Sequence, residues 1–145
     1  MTKVPTKTSR SRIIIADDCL AVLDAVATML ASDFDIVGTA RDGGDLLDAV
    51  ARLKPDIVVL DLSMPVCNGL EGARRLREQH SQARVVFLTV HGDEDFVHEA
   101  LAAGAAGYIL KSSMALELGH AIHEALAGRT YVSPRIALTD SIKSS

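Results

Sequence analysis

Four short apolar runs are spread along the chain, and a polar side chain follows each of them. The runs occupy residues 13–16, 57–60, 85–88 and 108–110. Apolar runs that alternate with helical segments are typical of parallel strands buried on both faces of a sheet. In such sheets the ligand site lies beyond the carboxyl ends of the strands. The pattern therefore predicts one sheet edge at which the side chains that follow the runs meet.

The segments between the runs have a helical period, and in the first of them it predicts an apolar face made of Leu20, Leu23, Val26 and Leu30. Helices are predicted at about 20–31, after Asp42, and at 68–79, 93–104 and 113–127, the last two ending at glycines. A strand over 35–39 is mixed in polarity, which suits a sheet edge. Right-handed crossovers then predict a flavodoxin-like α/β fold, a doubly wound five-stranded parallel sheet of order 2-1-3-4-5 with five helices.

One domain is expected between two polar ends, since 145 residues with 48% hydrophobic side chains can bury one core. Residues 1–11 are predicted to be a disordered basic tail, 12–128 the domain, and 129–145 a linker helix and tail. Within that last segment, Ser133 and Pro134 are expected to begin a short helix over 135–139. No apolar run approaches the roughly 20 residues of a membrane span or the roughly 7–15 of a secretory signal, so a cytoplasmic protein is expected.

The charge balance indicates which partners suit the domain. The formal net charge is −4, and without the four basic residues of the first twelve positions 11 basic and 19 acidic residues remain, a charge of −8. A domain this acidic is a poor match for nucleic acid, so no nucleic-acid contact and no membrane contact are expected of this segment. Cys19 and Cys67 are too few for a disulfide framework or a zinc cluster and are expected to be buried thiols.

The polar residues after the runs form a set with chemical meaning: Asp17, Asp18, Asp61, Thr89 and Lys111. Two carboxylates 4 Å apart repel by roughly 4 kcal/mol at an effective dielectric of 20. Either one carboxylate keeps a proton or a cation lies among them. Mg²⁺ is the cation that fits, because it takes hard oxygen ligands and is often held by one or two carboxylates with a phosphate oxygen.

Asp61 is the candidate nucleophile of this set, because it stands alone at the end of the central strand and a carboxylate can attack phosphorus. The Lys111 ammonium and the Thr89 hydroxyl are placed to neutralise or hydrogen-bond a transferring phosphoryl group. Each residue alone could be a helix cap, a turn former or a solvated side chain. The position of all five at one edge of one sheet favours a phosphoryl-transfer pocket.

The ordered set of motifs resembles the receiver domain of two-component response regulators, over about residues 12–128. The matching parts are Asp17-Asp18, Asp61 with Met64-Pro65 and Asn68-Gly69, Thr89, and Gly107-Tyr108 with Lys111. The sequences at 61–69 and 103–108 are most similar to the NarL/FixJ branch, whose members carry a LuxR-type helix-turn-helix output domain. Residues 129–139 resemble the start of a linker to such a domain, which this chain is not expected to include.

The resemblance implies that Asp61 accepts a phosphoryl group from a sensor histidine kinase or a phosphotransfer protein. Asp18 and Asp61 would bind Mg²⁺ directly together with the Ser63 backbone carbonyl, and Asp17 would act through a water molecule. Lys111 would pair with the phosphoryl group. The protein would then be no enzyme in the usual sense, since it catalyses only its own phosphorylation and dephosphorylation.

The resemblance also implies a switch. Thr89 would swing toward the phosphate and Tyr108 would turn inward behind it, which would remodel the face made by the fourth helix, fifth strand and fifth helix. That change would pass to an output domain that regulates transcription, or to a second copy bound through this face or through the first and fifth helices. DNA contact would belong to the output domain.

Two positions depart from the family pattern. Val90 follows Thr89 where a small residue is usual, and it should slow phosphotransfer from small donors. Ser112 follows Lys111 where many relatives have proline, and whether that bond is cis is left open.

Two alternatives are kept. A haloacid-dehalogenase-type phosphatase also forms an aspartyl phosphate, but Ser63 stands where its acid–base aspartate is needed. A receiver-like module that signals without phosphate is the second alternative.

Overall fold

Strands and helices alternate throughout the computed structural model, which describes residues 10–62, 69–79, 82–90 and 94–134. The strands are β1 Arg12–Ala16, β2 Asp35–Ala40, β3 Ile57–Asp61, β4 Arg84–Thr89, β5 Gly107–Leu110 and β6 Tyr131–Val132. The helices are α1 Leu20–Leu30, α2 Gly43–Leu53, α3 Gly69–Glu78, α4 Glu94–Ala102 and α5 Met114–Leu126, with a 3₁₀ turn at Lys111–Ser113 between β5 and α5.

All strand pairs are parallel, and the sheet order is β2-β1-β3-β4-β5-β6. The predicted order of the first five strands is confirmed, with the polar strand β2 at one edge. The predicted number of strands is wrong, because β6 pairs with β5 through Gly107–Tyr131 and Tyr108–Val132. A two-residue strand is too short to show a period in the sequence. Its backbone groups satisfy an edge of β5 that would otherwise be unpaired.

The core lies on both faces of the sheet, as the wholly apolar runs predict. Every residue of β3 is buried. On β1, Ile14 packs into the cluster that includes the inner faces of α2, α3 and α4, whereas Ile13 and Ile15 pack against α1 and α5. Each fully buried valine, leucine or isoleucine contributes roughly 1.5–3 kcal/mol relative to the exposed side chain, so the central strands hold the edge of the sheet in a fixed geometry.

The ends of the helices follow local rules that are visible in the sequence. The Asp42 Oδ1 accepts a hydrogen bond from the Asp45 backbone N–H at 2.9 Å and begins α2. Gly104 and Gly128 follow α4 and α5 with φ angles of +93° and +86°, the left-handed conformation that glycine adopts most easily. The glycine stops predicted for the last two helices are therefore confirmed.

Two burial expectations near the start of α1 are wrong. Leu20 is 55% exposed and Cys19 is also exposed. Cys19 is the N-cap and Leu20 the first residue of α1, and Leu23 is the first side chain of this helix that is buried. Cys67, the N-terminal nine residues and the predicted helix over 135–139 lie outside the described residues. Among the residues that are described, none of the helices has the length and apolar character needed to cross a bilayer.

Candidate functional site

The register of the sheet brings the ends of four strands together. Ala16 pairs with Leu60, so Asp17 and Asp61 occupy neighbouring positions just beyond β1 and at the end of β3. Asp61 in turn pairs with Leu88, and Thr89 is the next residue along β4. Thr89 pairs with Leu110, which places Lys111 at the next position along the same edge. This arrangement is the one that the apolar runs predict.

Three carboxylates form a cluster at this edge. One carboxylate oxygen each from Asp17, Asp18 and Asp61 lies within 4.8 Å of the others. Asp17 is 1% exposed and Asp61 is 6% exposed, whereas Asp18 faces solvent. Two of the three charges are therefore largely removed from water, where their mutual repulsion is poorly screened.

Lys111 supplies the positive charge that balances this cluster. Its Nζ lies 2.9 Å from the Asp17 Oδ2 and 3.4 Å from the Asp61 Oδ1. Burial alone would lower the pKa of Lys111, but the hydrogen bond to Asp17 and the charges of Asp61 and Asp17 outweigh it, and the net pKa is raised. The side chain is therefore an ammonium at neutral pH, held between two carboxylates.

Asp17 is fixed by the backbone around it. Its N–H donates to the Ala40 carbonyl at 3.0 Å, and its Oδ1 accepts from the Cys19 N–H at 2.9 Å. Its Oδ2 is buried and lies 2.9 Å from the Lys111 ammonium. A carboxylate oxygen has two lone-pair sites, so this oxygen can accept a further hydrogen bond.

The donor set fits a hard divalent cation. Carboxylate oxygens are the ligands that Mg²⁺ prefers, and the incompletely satisfied Asp17 Oδ2 can accept a hydrogen bond from a water molecule on such an ion. Zinc is usually held by cysteine or histidine, which the three-carboxylate cluster does not supply. The predicted Ser63 carbonyl ligand lies outside the described residues.

Thr89 and Tyr108 both lie inside the protein. Thr89 is 1% exposed at the end of β4. The Tyr108 side chain is fully buried, with its ring centroid 6.3 Å from that of Phe87. Val132 of β6 packs against the same cluster. The ring thus occupies an inward position in this structure, and its predicted movement with phosphorylation stays a prediction.

The structure also describes the two positions that depart from the family pattern. Val90 follows Thr89 at the site and is 69% exposed. No peptide bond among the described residues is cis, so the Lys111–Ser112 bond is trans.

Sequence reasoning missed one polar residue behind the site. Ser133 is completely buried, and its Oγ accepts a hydrogen bond from the Leu110 N–H at 3.1 Å, one residue before Lys111. In the sequence, the Ser133-Pro134 pair predicts only a helix start, because the position of Ser133 beside β5 depends on the tertiary fold.

Comparisons with known proteins agree with this geometry. Residues 13–123 match the family described as the response regulator receiver domain. The chain is similar to the response regulator GacA of Pseudomonas viridiflava, with 39% identity over 136 residues, 92% of this chain and 63% of that protein. The chain therefore spans less than two thirds of this relative's length.

Solved structures show the same fold. A two-component response regulator of the LuxR family from Aurantimonas sp. SI85-9A1 has a TM-score of 0.89 and 35% identity, covering 94% of this chain and 99% of that one. A CheX-CheY-BeF3-Mg complex from Borrelia burgdorferi has a TM-score of 0.77 and 25% identity, covering 83% of this chain and 92% of that one.

Proposed function

Because this chain belongs to the family of response regulator receiver domains, we propose that Asp61 is the residue whose phosphorylation operates its switch. The observation that supports this assignment most strongly is the position of Asp61, buried at the end of the central strand within 3.4 Å of the Lys111 ammonium and beside two further carboxylates. Receiver domains are signalling switches of two-component systems rather than classical enzymes.

The proposed reaction transfers a phosphoryl group to a carboxylate oxygen of Asp61. An Asp61 carboxylate oxygen attacks phosphorus, a new O–P bond forms, and the P–N bond of a donor phosphohistidine breaks with its electron pair going to the imidazole. Lys111 lies where it can neutralise charge on the equatorial oxygens, and the Thr89 hydroxyl at the next strand end can donate a hydrogen bond to one of them.

A metal ion is part of the proposal. We infer that Asp18, Asp61 and the Ser63 backbone carbonyl hold Mg²⁺ and that Asp17 binds it through a water molecule. Bound there, the ion would offset the carboxylate repulsion and the charge of the phosphoryl group. The Borrelia structure named above contains both Mg and a BeF3 group, which supports the transfer of this chemistry to the present pocket.

Thr89 and Tyr108 form the proposed relay. A phosphoryl group adds a charge of about −1.5 to −2, which attracts a hydroxyl donor. Thr89 is the buried hydroxyl at this edge, and Tyr108 lies on the neighbouring strand where it contacts the cluster that contains Val97 of α4. A shift of Thr89 would therefore repack the face formed by α4, β5 and α5.

The partners follow from this assignment as proposals. The phosphodonor is a sensor histidine kinase or a phosphotransfer protein. The changed face is recognised by an output domain that regulates transcription, or by a second copy through α4-β5-α5 or through α1 and α5. β6 occupies the outer edge of β5, so a dimer at the first of these faces would use helix surfaces rather than strand pairing.

Intact mass after incubation with acetyl phosphate and Mg²⁺ tests the assignment. The wild-type chain should gain one phosphoryl group, and Asp61→Asn should gain none, because the amide is not a nucleophile for phosphorus. Asp48→Asn, an exposed carboxylate on α2, is the matched control and should behave as wild type. An undiminished adduct in Asp61→Asn would move the acceptor elsewhere, and a phosphate-independent module would show no adduct in any variant.

A further inference from the structure

Four polar or charged side chains are buried in the part of the chain that the structure describes. They are Asp17, Asp61, Thr89 and Ser133. Three of them belong to the pocket, and the fourth comes from the segment after α5, more than twenty residues beyond Lys111. Buried polar groups need hydrogen-bond partners, so the partners of Ser133 show what it holds in place.

In the pairing of β5 and β6, the Ser133 hydroxyl takes the place of a backbone carbonyl as hydrogen-bond acceptor. The Tyr131 N–H donates to the Ala106 carbonyl at 3.1 Å and the Ser133 N–H to the Tyr108 carbonyl at 2.9 Å, so bonds recur at every second residue. In a continued parallel ladder, the Leu110 N–H would donate to the Ser133 carbonyl. It donates instead to the Ser133 Oγ at 3.1 Å.

The same hydroxyl also forms a hydrogen bond with α5, the helix that follows β5 in the chain. The Ser133 Oγ donates to the Glu117 Oε1 at 2.7 Å, and Glu117 lies in the first turn of α5. Glu117 accepts from Tyr131 as well, and burial together with this carboxylate raises the pKa of the Tyr131 phenol. A charged acceptor makes the hydrogen bond from Ser133 stronger than a neutral one.

These two bonds enclose the turn that carries Lys111. Leu110 is the residue before Lys111 and pairs with Thr89, and the 3₁₀ turn Lys111–Ser113 leads directly into α5. The hydroxyl thus links the residue before this turn to the first turn of the helix after it, and the Lys111 ammonium of the pocket lies between these two points. Displacement of either end would move Nζ away from Asp17 and Asp61.

We propose that Ser133 is a positioning residue for phosphoryl transfer, which acts by fixing the end of β5 and the start of α5 so that Lys111 faces the pocket. This inference rests on the proposed function of Asp61. It gives one residue of the segment after α5, Ser133, a role in phosphorylation that it performs through Lys111.

The test compares phosphorylation with metal binding in the full chain. We expect Ser133→Ala to be phosphorylated by acetyl phosphate about fivefold more slowly than wild type at saturating Mg²⁺, the effect of one lost hydrogen bond. In this reaction the acyl O–P bond breaks and acetate leaves with the electron pair. Mg²⁺ affinity, measured by calorimetry with the metal alone, should be equal to or higher than that of wild type, since the carboxylates stay in place.

A general loosening of the fold gives a different result. It would weaken Mg²⁺ binding and slow phosphorylation together, and that outcome overturns the inference, as does an unchanged rate. Thr130→Ala removes an exposed hydroxyl from the same segment and should match wild type in both measurements. If Ser133→Ala does not fold, Glu117→Ala is judged by the same two measurements, because it removes the acceptor of the Ser133 hydroxyl.

Failure of the inference is distinguishable from failure of the proposed function. A wild-type chain that takes no phosphoryl group, or takes it on a residue other than Asp61, overturns the proposed function. A wild-type chain phosphorylated on Asp61 at the same rate as Ser133→Ala overturns only the role of Ser133.

Discussion

Val90 is the residue at which access to the pocket can be changed with the least effect on the fold. It is 69% exposed and directly follows the buried Thr89. A β-branched side chain at this position narrows the approach of a small donor. Because exposed substitutions usually change stability by less than about 0.5 kcal/mol, a Val90→Ala variant isolates the effect on access.

We expect Val90→Ala to accept a phosphoryl group from acetyl phosphate several-fold faster than the wild-type chain. The measurement is the initial rate of adduct formation by intact mass at matched donor and Mg²⁺ concentrations. Thr28→Ala removes an exposed β-branched side chain from α1, and it is the matched control that should leave the rate unchanged. Equal rates for Val90→Ala and wild type would refute the access argument.

Lys111 determines how the pocket behaves without metal. Its ammonium separates two largely buried carboxylates, so Lys111→Ala leaves them facing each other. Removal of one partner from a mostly buried ion pair lowers the free energy of unfolding, here by about 2 kcal/mol in Mg²⁺-free buffer. Added Mg²⁺ should then stabilise Lys111→Ala more than it stabilises the wild-type chain, because the ion replaces the missing positive charge.

Urea denaturation with and without Mg²⁺ measures both effects. Arg52→Ala, an exposed basic residue on α2, controls for the change in net charge. A Lys111→Ala chain as stable as wild type in Mg²⁺-free buffer would show that the ammonium does not offset the carboxylate repulsion.

At the level of elements, β6 has a larger role than its two residues suggest. Val132 and Tyr131 each pack against one of the two core clusters, on opposite faces of the sheet. Ser133 is buried behind them, and the Arg129 guanidinium pairs with Glu124 of α5 at 2.8 Å. The segment 129–134 therefore covers the edge of β5 and links that edge to α5.

A chain that ends at Gly128 should be less stable to urea than a chain that ends at Pro134, by about 2–4 kcal/mol. The difference combines lost apolar burial with the lost hydrogen bonds of β6. The chain ending at Pro134 is the matched control, since both lack all later residues. Equal midpoints and slopes for the two chains would mean that β6 does not stabilise the sheet.

The elements also show what a sequence can and cannot predict. The order of the first five strands follows from polarity, since Asp35 and Thr39 make β2 an edge strand and both are exposed. The helix ends follow from Asp42 and the two glycines, whose effects are local. β6 could not be predicted, because two residues have no period and their conformation is imposed by the free edge of β5.

For the whole molecule, the pocket was predictable for the same reason as the fold. Parallel strands end at one edge, so the positions of Asp17, Asp61, Thr89 and Lys111 follow once the runs are recognised as strands. The pairing of Lys111 with two carboxylates needed coordinates, as did the complete burial of Tyr108 on the strand next to β6. The role of Ser133 depends on a contact across 23 residues of sequence and was missed.

At the scale of the whole molecule, the central claim is that the buried Asp61 carboxylate at the end of β3 receives the phosphoryl group. The residues around it hold the metal ion and neutralise the charge of that group. Chemical mapping tests this claim most directly. The full chain is phosphorylated with acetyl phosphate and Mg²⁺ and treated with borohydride, which reduces an aspartyl phosphate to homoserine, and the digested peptides are sequenced by mass spectrometry. The account predicts homoserine at position 61 and nowhere else, whereas homoserine at position 17 or 18, with Asp61 intact, would contradict it.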